Sequence, residues 1–207
     1  ATYHPMTPAR LLDSRFGNGL SAKLVANTPA TFQVTGRGSI PSNATAVTGN
    51  VTVVNSTYSW AVYLGPDPIA SPGTSTINFK TGEVKANSLS VALSGTGSLS
   101  ATFMSTSGNT TDLVFDVTGY FAPNAGGATF VPVTPSRILD SRYGTGFAAV
   151  PFTSQVARTF RVTGRGGVPT NATSVTCNLS FTQLSCCVHL YIGPNHTTHP
   201  SNSSLHL

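Results

Sequence analysis

Charge is nearly absent from this chain. Eleven Lys and Arg and six Asp and Glu make up 8% of its 207 residues, where about 25% is usual. The few cations are dispersed, with no basic stripe and no interleaved aromatics, so the chain lacks the footprint of a nucleic-acid binder. No stretch approaches the roughly 18–20 apolar residues of a membrane-spanning helix. No window of eleven or more residues carries an apolar stripe at helical period. No basic-then-apolar leader segment is present, and Ala1 suits either a cleaved leader or a trimmed chain. There is one Trp, and none of the three cysteines precedes Cys177. No CxxC pair or His/Cys spacing suggests zinc.

Hydroxyls and amides fill the gap left by charge. Ser and Thr number 54, and the 39% hydrophobic content still provides for a core. Wholesale disorder is therefore not expected. A neutral, hydroxyl-rich surface suits a secreted or glycan-coated protein.

The dominant pattern is repetition. TPARLLDSRFGNG (Thr7 to Gly19) returns as TPSRILDSRYGTG (Thr134 to Gly146). VTGRGSIPSNATAVTGNVT (Val34 to Thr52) returns as VTGRGGVPTNATSVTCNLS (Val162 to Ser180), and VYLGP at Val62 becomes LYIGP at Leu190. The offset is 127 residues, then 128. A period of this length is a domain rather than a solenoid turn. We expect a complete repeat over 1–126 and a partial one over 127–207, equivalent to about 1–79. Within these 207 residues nothing corresponds to Lys80–Thr129 for the second repeat.

Period-2 alternation predicts strands over Val47–Val53, Leu113–Thr118, Thr31–Thr35, Trp60–Leu64, Ser75–Phe79, Ser88–Leu93 and Ser98–Met104. Turn-rich pieces such as Pro66–Gly73, Ser94–Gly97 and Ser105–Asn109 separate them. The fold expected is all-β, with two antiparallel β-sandwich or jelly-roll-like repeats, the second incomplete. APNAGGA (Ala122–Ala128) reads as a flexible linker.

Charge divides unevenly between the repeats. Residues 1–127 hold six cations and five acids; residues 128–207 hold five arginines and only Asp140. The partial repeat keeps its arginines and lacks counterparts of Glu83, Asp112 and Asp116. Either these arginines are solvated, or Arg137, Arg142 and Arg165 form a socket for an acidic strand. A sandwich short of strands exposes open edges, which favours pairing with another chain. Such contacts join unlike surfaces, and when they do not close they build filaments.

Eight of thirteen asparagines stand in Asn-X-Ser/Thr sequons: Asn43, Asn50, Asn55, Asn109, Asn171, Asn178, Asn195 and Asn202. The Ser/Thr content alone accounts for about three. Asn43 matches Asn171, and Asn50 matches Asn178 on what alternation makes an outward strand face. Covalent N-glycans are expected at these sites. Alternation turns Cys177 and Cys186 inward on one hairpin, so they can pair as a disulfide or remain as core thiols. Cys187 points outward, free or available to another subunit.

Catalytic groupings are scarce. Arg10, Asp13 and Arg15 recur as Arg137, Asp140 and Arg142, and read as structural ion pairs closing a glycine-rich turn. A lone Asp between arginines lacks the second acid or base that catalysis needs. No His position is shared between the repeats. Gly36–Gly38 and Gly164–Gly166 lead into Ser-Ile-Pro and Gly-Val-Pro, so no helix follows to hold a phosphate. No enzyme activity and no cofactor are expected. Trp60 should point inward, while Tyr63 and Tyr191 recur on the outward face.

The strings P-x-R-[LI]-L-D-S-R-x-G-x-G, V-T-G-R-G-x-[IV]-P-x-N-A-T and TDLVFDVTGYF resemble the tandem β-rich repeats of bacterial, especially actinobacterial and Chloroflexi, surface and secreted proteins. There the pattern looks like RLLDTR-x-G and TDLIVDVVGYF. The resemblance spans nearly the whole chain and carries no reaction. It implies extracellular arrays with structural or adhesive roles. Dense sequons, cysteines and the short second copy depart from it. The leading expectation is a self-assembling extracellular filament or surface-layer subunit; the alternative is a glycan-binding or adhesive module.

Overall fold

A computed structural model describes residues 1–123, 126–180, 189–200 and 204–206. Among them there is no helix, hence none long and apolar enough to cross a membrane. The first repeat is built from nine strands: β1 (Thr2–Asp13), β2 (Leu24–Val25), β3 (Ala30–Gln33), β4 (Ala46–Val54), β5 (Trp60–Gly65), β6 (Ile77–Phe79), β7 (Lys85–Ala92), β8 (Ser98–Met104) and β9 (Thr110–Ala122).

They form two antiparallel sheets. The first runs β1-β9-β4-β7, with β2 also on β9; the second runs β3-β8-β5-β6. Four strands are flanked on both sides, β9 and β4 in the first sheet and β8 and β5 in the second. β9 takes β1 and β2 on one side and β4 on the other. β8 lies between β3 and β5. Of the four, β8 and β9 come from the stretch that has no second copy in these 207 residues.

Alternation supplies the core between the sheets. Val47, Val51, Val53, Leu113, Phe115 and Val117 come from the first sheet; Phe32, Val62, Leu64, Leu99, Ala101 and Phe103 come from the second. All belong to one buried cluster. The outer face of β8 is covered as well. Thr102 Oγ1 donates to the Ile69 carbonyl at 2.8 Å, so the loop after β5 lies across it.

Three local features depart from expectation. β1 is the second-longest strand and alternation does not find it, because Pro5 and Pro8 interrupt the pattern. Proline is tolerated where a strand has an unpaired side or a bulge. Here register shifts fall between Pro5 and Ala9 and again between Arg10 and Leu12. Trp60 is 61% exposed rather than inward. It opens β5 opposite Phe79, the last residue of β6, so no further strand residue covers it. The linker's Ala128 exchanges two backbone hydrogen bonds with Tyr3, at 2.9 and 2.7 Å. Ala128 thus lies along the outer side of β1.

The second repeat forms no sandwich among the described residues. Its only strands are the short antiparallel pair β10 (His189–Leu190) and β11 (Leu205–His206). Among the described residues the segments matching β1 and β4 carry no ladder, apart from one isolated bridge, Asp140 to Thr145. The topology supplies the reason: β1 and β4 never pair with each other. Each pairs with β9.

Candidate functional site

The most organised polar cluster of the molecule lies where β1 meets β9. The register sets Arg10 opposite Asp116 and Asp13 opposite Val114. Three carboxylates gather there: Asp13, Asp112 and Asp116 are 2%, 1% and 3% exposed. Carboxylates so deeply buried require partners. Arg10 forks onto Asp116, Nε to Oδ1 at 2.8 Å and Nη2 to Oδ2 at 3.0 Å, and reaches Asp13 at 3.4 Å. Arg15 forks onto Asp13 at 2.8 and 2.7 Å. Such bidentate pairs are among the strongest polar contacts available.

Asp112 is held differently. Ser14 Oγ donates to its Oδ1 at 2.7 Å and itself accepts from the Leu113 N–H at 3.0 Å. Asn55 Nδ2 donates to Oδ2 at 2.9 Å, and Lys23 Nζ stands 3.4 Å from the same oxygen. The hydrogen bonds from Arg15 hold the Asp13 carboxyl below its ordinary range. The hydrogen bonds that Arg10 donates to Asp116 raise Arg10, and those that Arg15 donates to Asp13 raise Arg15. Each of these side chains is committed to a neighbour. The cluster clamps the end of β1 to β9.

The second repeat rebuilds half of this cluster. Arg142 forks onto Asp140 at 2.9 and 2.7 Å, as Arg15 does onto Asp13. Asp140 is likewise depressed, chiefly by Arg142. The turn is the same: the N–H groups of Phe16 and Asn18 donate to Asp13 O, and those of Tyr143 and Thr145 to Asp140 O. Gly19 and Gly146 stand at φ +78° and +92°, with the carbonyls of Leu11 and Ile138 where a Cβ would go. Arg15 lies 5.1 Å over the Phe16 ring and Arg142 lies 5.0 Å over Tyr143.

Among the described residues no β9-like strand adds the other half of the cluster. Arg137 reaches only Asp140 among the described residues, at 2.9 Å, and its side chain is 67% exposed against 32% for Arg10. Ile138 and Leu139 are half-buried, where Leu11 and Leu12 are buried. Phe130 and Val131 are 80% and 68% exposed.

The three arginines expected to form a socket therefore separate. Arg142 is already satisfied by Asp140 within its own turn. Arg165 corresponds to Arg37, which pairs with no acid: it donates to Asn18 Oδ1 and to the Gln33 carbonyl. Arg165 makes no ion pair among the described residues. Only Arg137 has a counterpart that binds a β9 carboxylate. Sequence reading missed Ser14 and its match Ser141. The signal was present, since Ser follows Asp in both LLDSR and ILDSR.

The sequons scatter. Asn43, Asn55, Asn171, Asn178 and Asn195 are exposed, and Asn109 is half-buried. Asn50 is 5% exposed, which corrects the outward-facing expectation. It does lie opposite Asp116, away from the core, but Ser88 Oγ donates to its Oδ1 at 3.3 Å. That face of β4 is covered by polar neighbours on both flanking strands. Asn178 lies on no strand. The amides of Asn55 and Asn109 are already used, by Asp112 and by the Thr106 carbonyl and hydroxyl. Asn202 lies outside the described residues. Cys177 is an exposed free thiol rather than an inward one, because its segment forms no strand. Cys186 and Cys187 lie outside the described residues.

Among the described residues no three His, Cys, Asp or Glu side chains gather as metal ligands would. Comparison with known proteins finds no matching family model and no matching curated protein.

Proposed function

We propose that the chain is a structural subunit of an extracellular, N-glycosylated filament or surface layer. Subunits join when strands of a neighbour complete the second repeat. One observation carries this reading: Phe130, Val131 and Arg137 are exposed in a segment whose repeat-one counterpart, β1, is paired with β9. Main-chain pairing by an added strand would supply affinity, and alternate side chains would supply specificity. The exposed sequons and hydroxyl-rich composition support an extracellular setting, as does the resemblance to bacterial surface repeats.

Size-exclusion chromatography with light scattering tests the reading. Native material is expected as oligomers that persist on dilution; a monomer at every concentration overturns it. Intact mass is expected to exceed the polypeptide mass by whole glycans; an unadorned mass removes the glycoprotein part.

A second reading draws on Trp60. Its exposure, with Tyr58 44% exposed two residues earlier, offers aromatic faces to a sugar. A glycan array would then show saturable binding that Trp60→Ala abolishes, and an array without hits removes this reading.

A further inference from the structure

The sequons differ in what their side chains already do. The inference rests on the glycoprotein part of the reading above and names its sites. We propose that Asn43 and Asn171 are the glycan acceptors shared by the two repeats, whereas Asn50, Asn55 and Asn109 are structural asparagines that stay bare in the folded chain.

A sequon presents two groups, the amide that takes the sugar and the hydroxyl two residues on. Both must be reachable, and the sugar must then stand in water. The turn that follows each Gly-Arg-Gly meets these demands. The Ala44 N–H donates to the Pro41 carbonyl at 3.1 Å, and the Ala172 N–H to the Pro169 carbonyl at 3.2 Å. Each repeat thus closes a four-residue β-turn with its asparagine in third place. Asn43, Thr45, Asn171 and Thr173 are all exposed. Among the described residues neither asparagine side chain has a hydrogen-bond partner. Thr45 Oγ1 lies 3.4 Å from the Phe121 carbonyl, long for a hydroxyl donor. The turn forms in repeat two without a sandwich around it, so the site depends only on its own residues.

The other three sequons of repeat one are committed to its fold. Asn50 is 5% exposed, and Thr52, the hydroxyl of its sequon, is 4% exposed. Asn55 and Asn109 belong to two sequons that lock together where β4 ends and β9 begins. Thr57 Oγ1, the hydroxyl of the first, donates to Asn109 Oδ1 of the second at 3.1 Å. Thr57 Oγ1 also accepts from the Thr110 N–H at 2.9 Å, and the Thr57 N–H donates to the Thr110 carbonyl at 3.0 Å. The amides are in use as well. Asn55 Nδ2 donates to the buried Asp112 at 2.9 Å, and Asn109 Nδ2 to the Thr106 hydroxyl at 2.8 Å. Thr111, which completes the second sequon, is fully buried and donates to the Val54 carbonyl at 3.2 Å. A sugar at either asparagine would have to displace this lock, and leaving its buried groups unpaired is costly.

Peptide mapping tests the choice of sites. The full chain is secreted from a cell line that N-glycosylates, and soluble material is treated with a glycosidase in heavy-oxygen water, which marks each asparagine that carried sugar. Asn43 and Asn171 are expected to be marked, and Asn50, Asn55 and Asn109 unmarked. A mark on any of the last three overturns their structural role; unmarked Asn43 and Asn171 overturn the acceptor role. Asn43→Gln with Asn171→Gln should remove both sugars and leave the thermal midpoint of the deglycosylated chain unchanged. Asn55→Gln with Asn109→Gln should leave the sugars in place and lower that midpoint by about 5 °C or more. An unchanged midpoint in the second pair also overturns the structural role. Native material mapped in the same way separates this inference from the reading it rests on. Native sugar that avoids Asn43 and Asn171 overturns the choice of sites alone, whereas a native chain with no sugar removes the glycoprotein reading and the acceptor role with it.

Discussion

In repeat one Arg10 grips two carboxylates and its side chain is 32% exposed; in repeat two Arg137 holds one and is 67% exposed. The local chemistry around them is otherwise the same. Both repeats close the Asp-Ser-Arg turn with the same backbone hydrogen bonds and the same fork onto the first Asp. The turn therefore forms from its own residues. The ladder beyond it does not, because the flanking segments need β9 between them. What the comparison teaches is a division of labour. Short-range contacts set the corner, and one long strand from a hundred residues away turns corners into a sheet.

The sharpest way to break this comparison is to move one residue between repeats. Gly49→Cys brings the repeat-two residue into repeat one, against the Phe115 ring and the Asp116 carbonyl. We expect a loss of about 3 kcal/mol or more, at the upper end for overpacking against fixed backbone. Urea unfolding measures it. Adding Phe115→Ala is expected to recover part of that loss if ring volume is the cause, despite the cavity such a change leaves in the parent.

Asp116→Asn makes Arg10 resemble Arg137. Breaking one side of a buried pair costs about 3–5 kcal/mol. Arg10 keeps Asp13 and is partly exposed, so about 2 kcal/mol is expected from denaturant midpoints. The same loss without change in m-value would show that compactness is preserved.

Acid provides a third probe. Asp13 lies below its ordinary value of 3.8 in the folded state. A carboxyl depressed on folding contributes stability that is fully present above its unfolded value and is lost as pH falls through the folded one. Thermal melts should thus hold steady down to about pH 4 and fall below it. Arg15→Gln should flatten that fall; an unchanged slope would remove Asp13 as its source.

The smallest effect expected is at Arg137. In the isolated chain Arg137→Ala should shift stability by less than about 0.5 kcal/mol, as for an exposed pair. Arg10→Ala, by contrast, strands the buried Asp116 and should cost several times more. Equal costs in thermal unfolding would erase the distinction between the repeats.

Much of the fold was legible because alternation needs no partner to be seen. Ser98–Met104 appears in the structure with the expected bounds, and the strands around Val47–Val53 and Leu113–Thr118 differ only at their ends. β1 was hidden by its prolines, and the two-residue β2 is too short to show a period. At the site, the recurring Arg-Asp-Arg announced an ion-paired corner. The burial of Asn50 could not be anticipated, because alternation gives the face of a strand but not what covers that face. Trp60 illustrates the opposite case: its parity is that of the core, and the sheet ends beside it.

By itself the sequence determined the turns, the strand periods and the ion pairs between residues two or three apart, since each depends on chain-local geometry. It also determined that one 127-residue unit is written again in part. Only the tertiary structure decided that β1, β2 and β4 pair with β9, and β3 and β5 with β8. It also showed that Arg10 answers to Asp116, and that Gly49 has no room for a Cβ because the Asp116 carbonyl and the Phe115 ring lie over it. The last two facts join residues 66 to 106 positions apart, where the chain's local preferences carry no information about who meets whom.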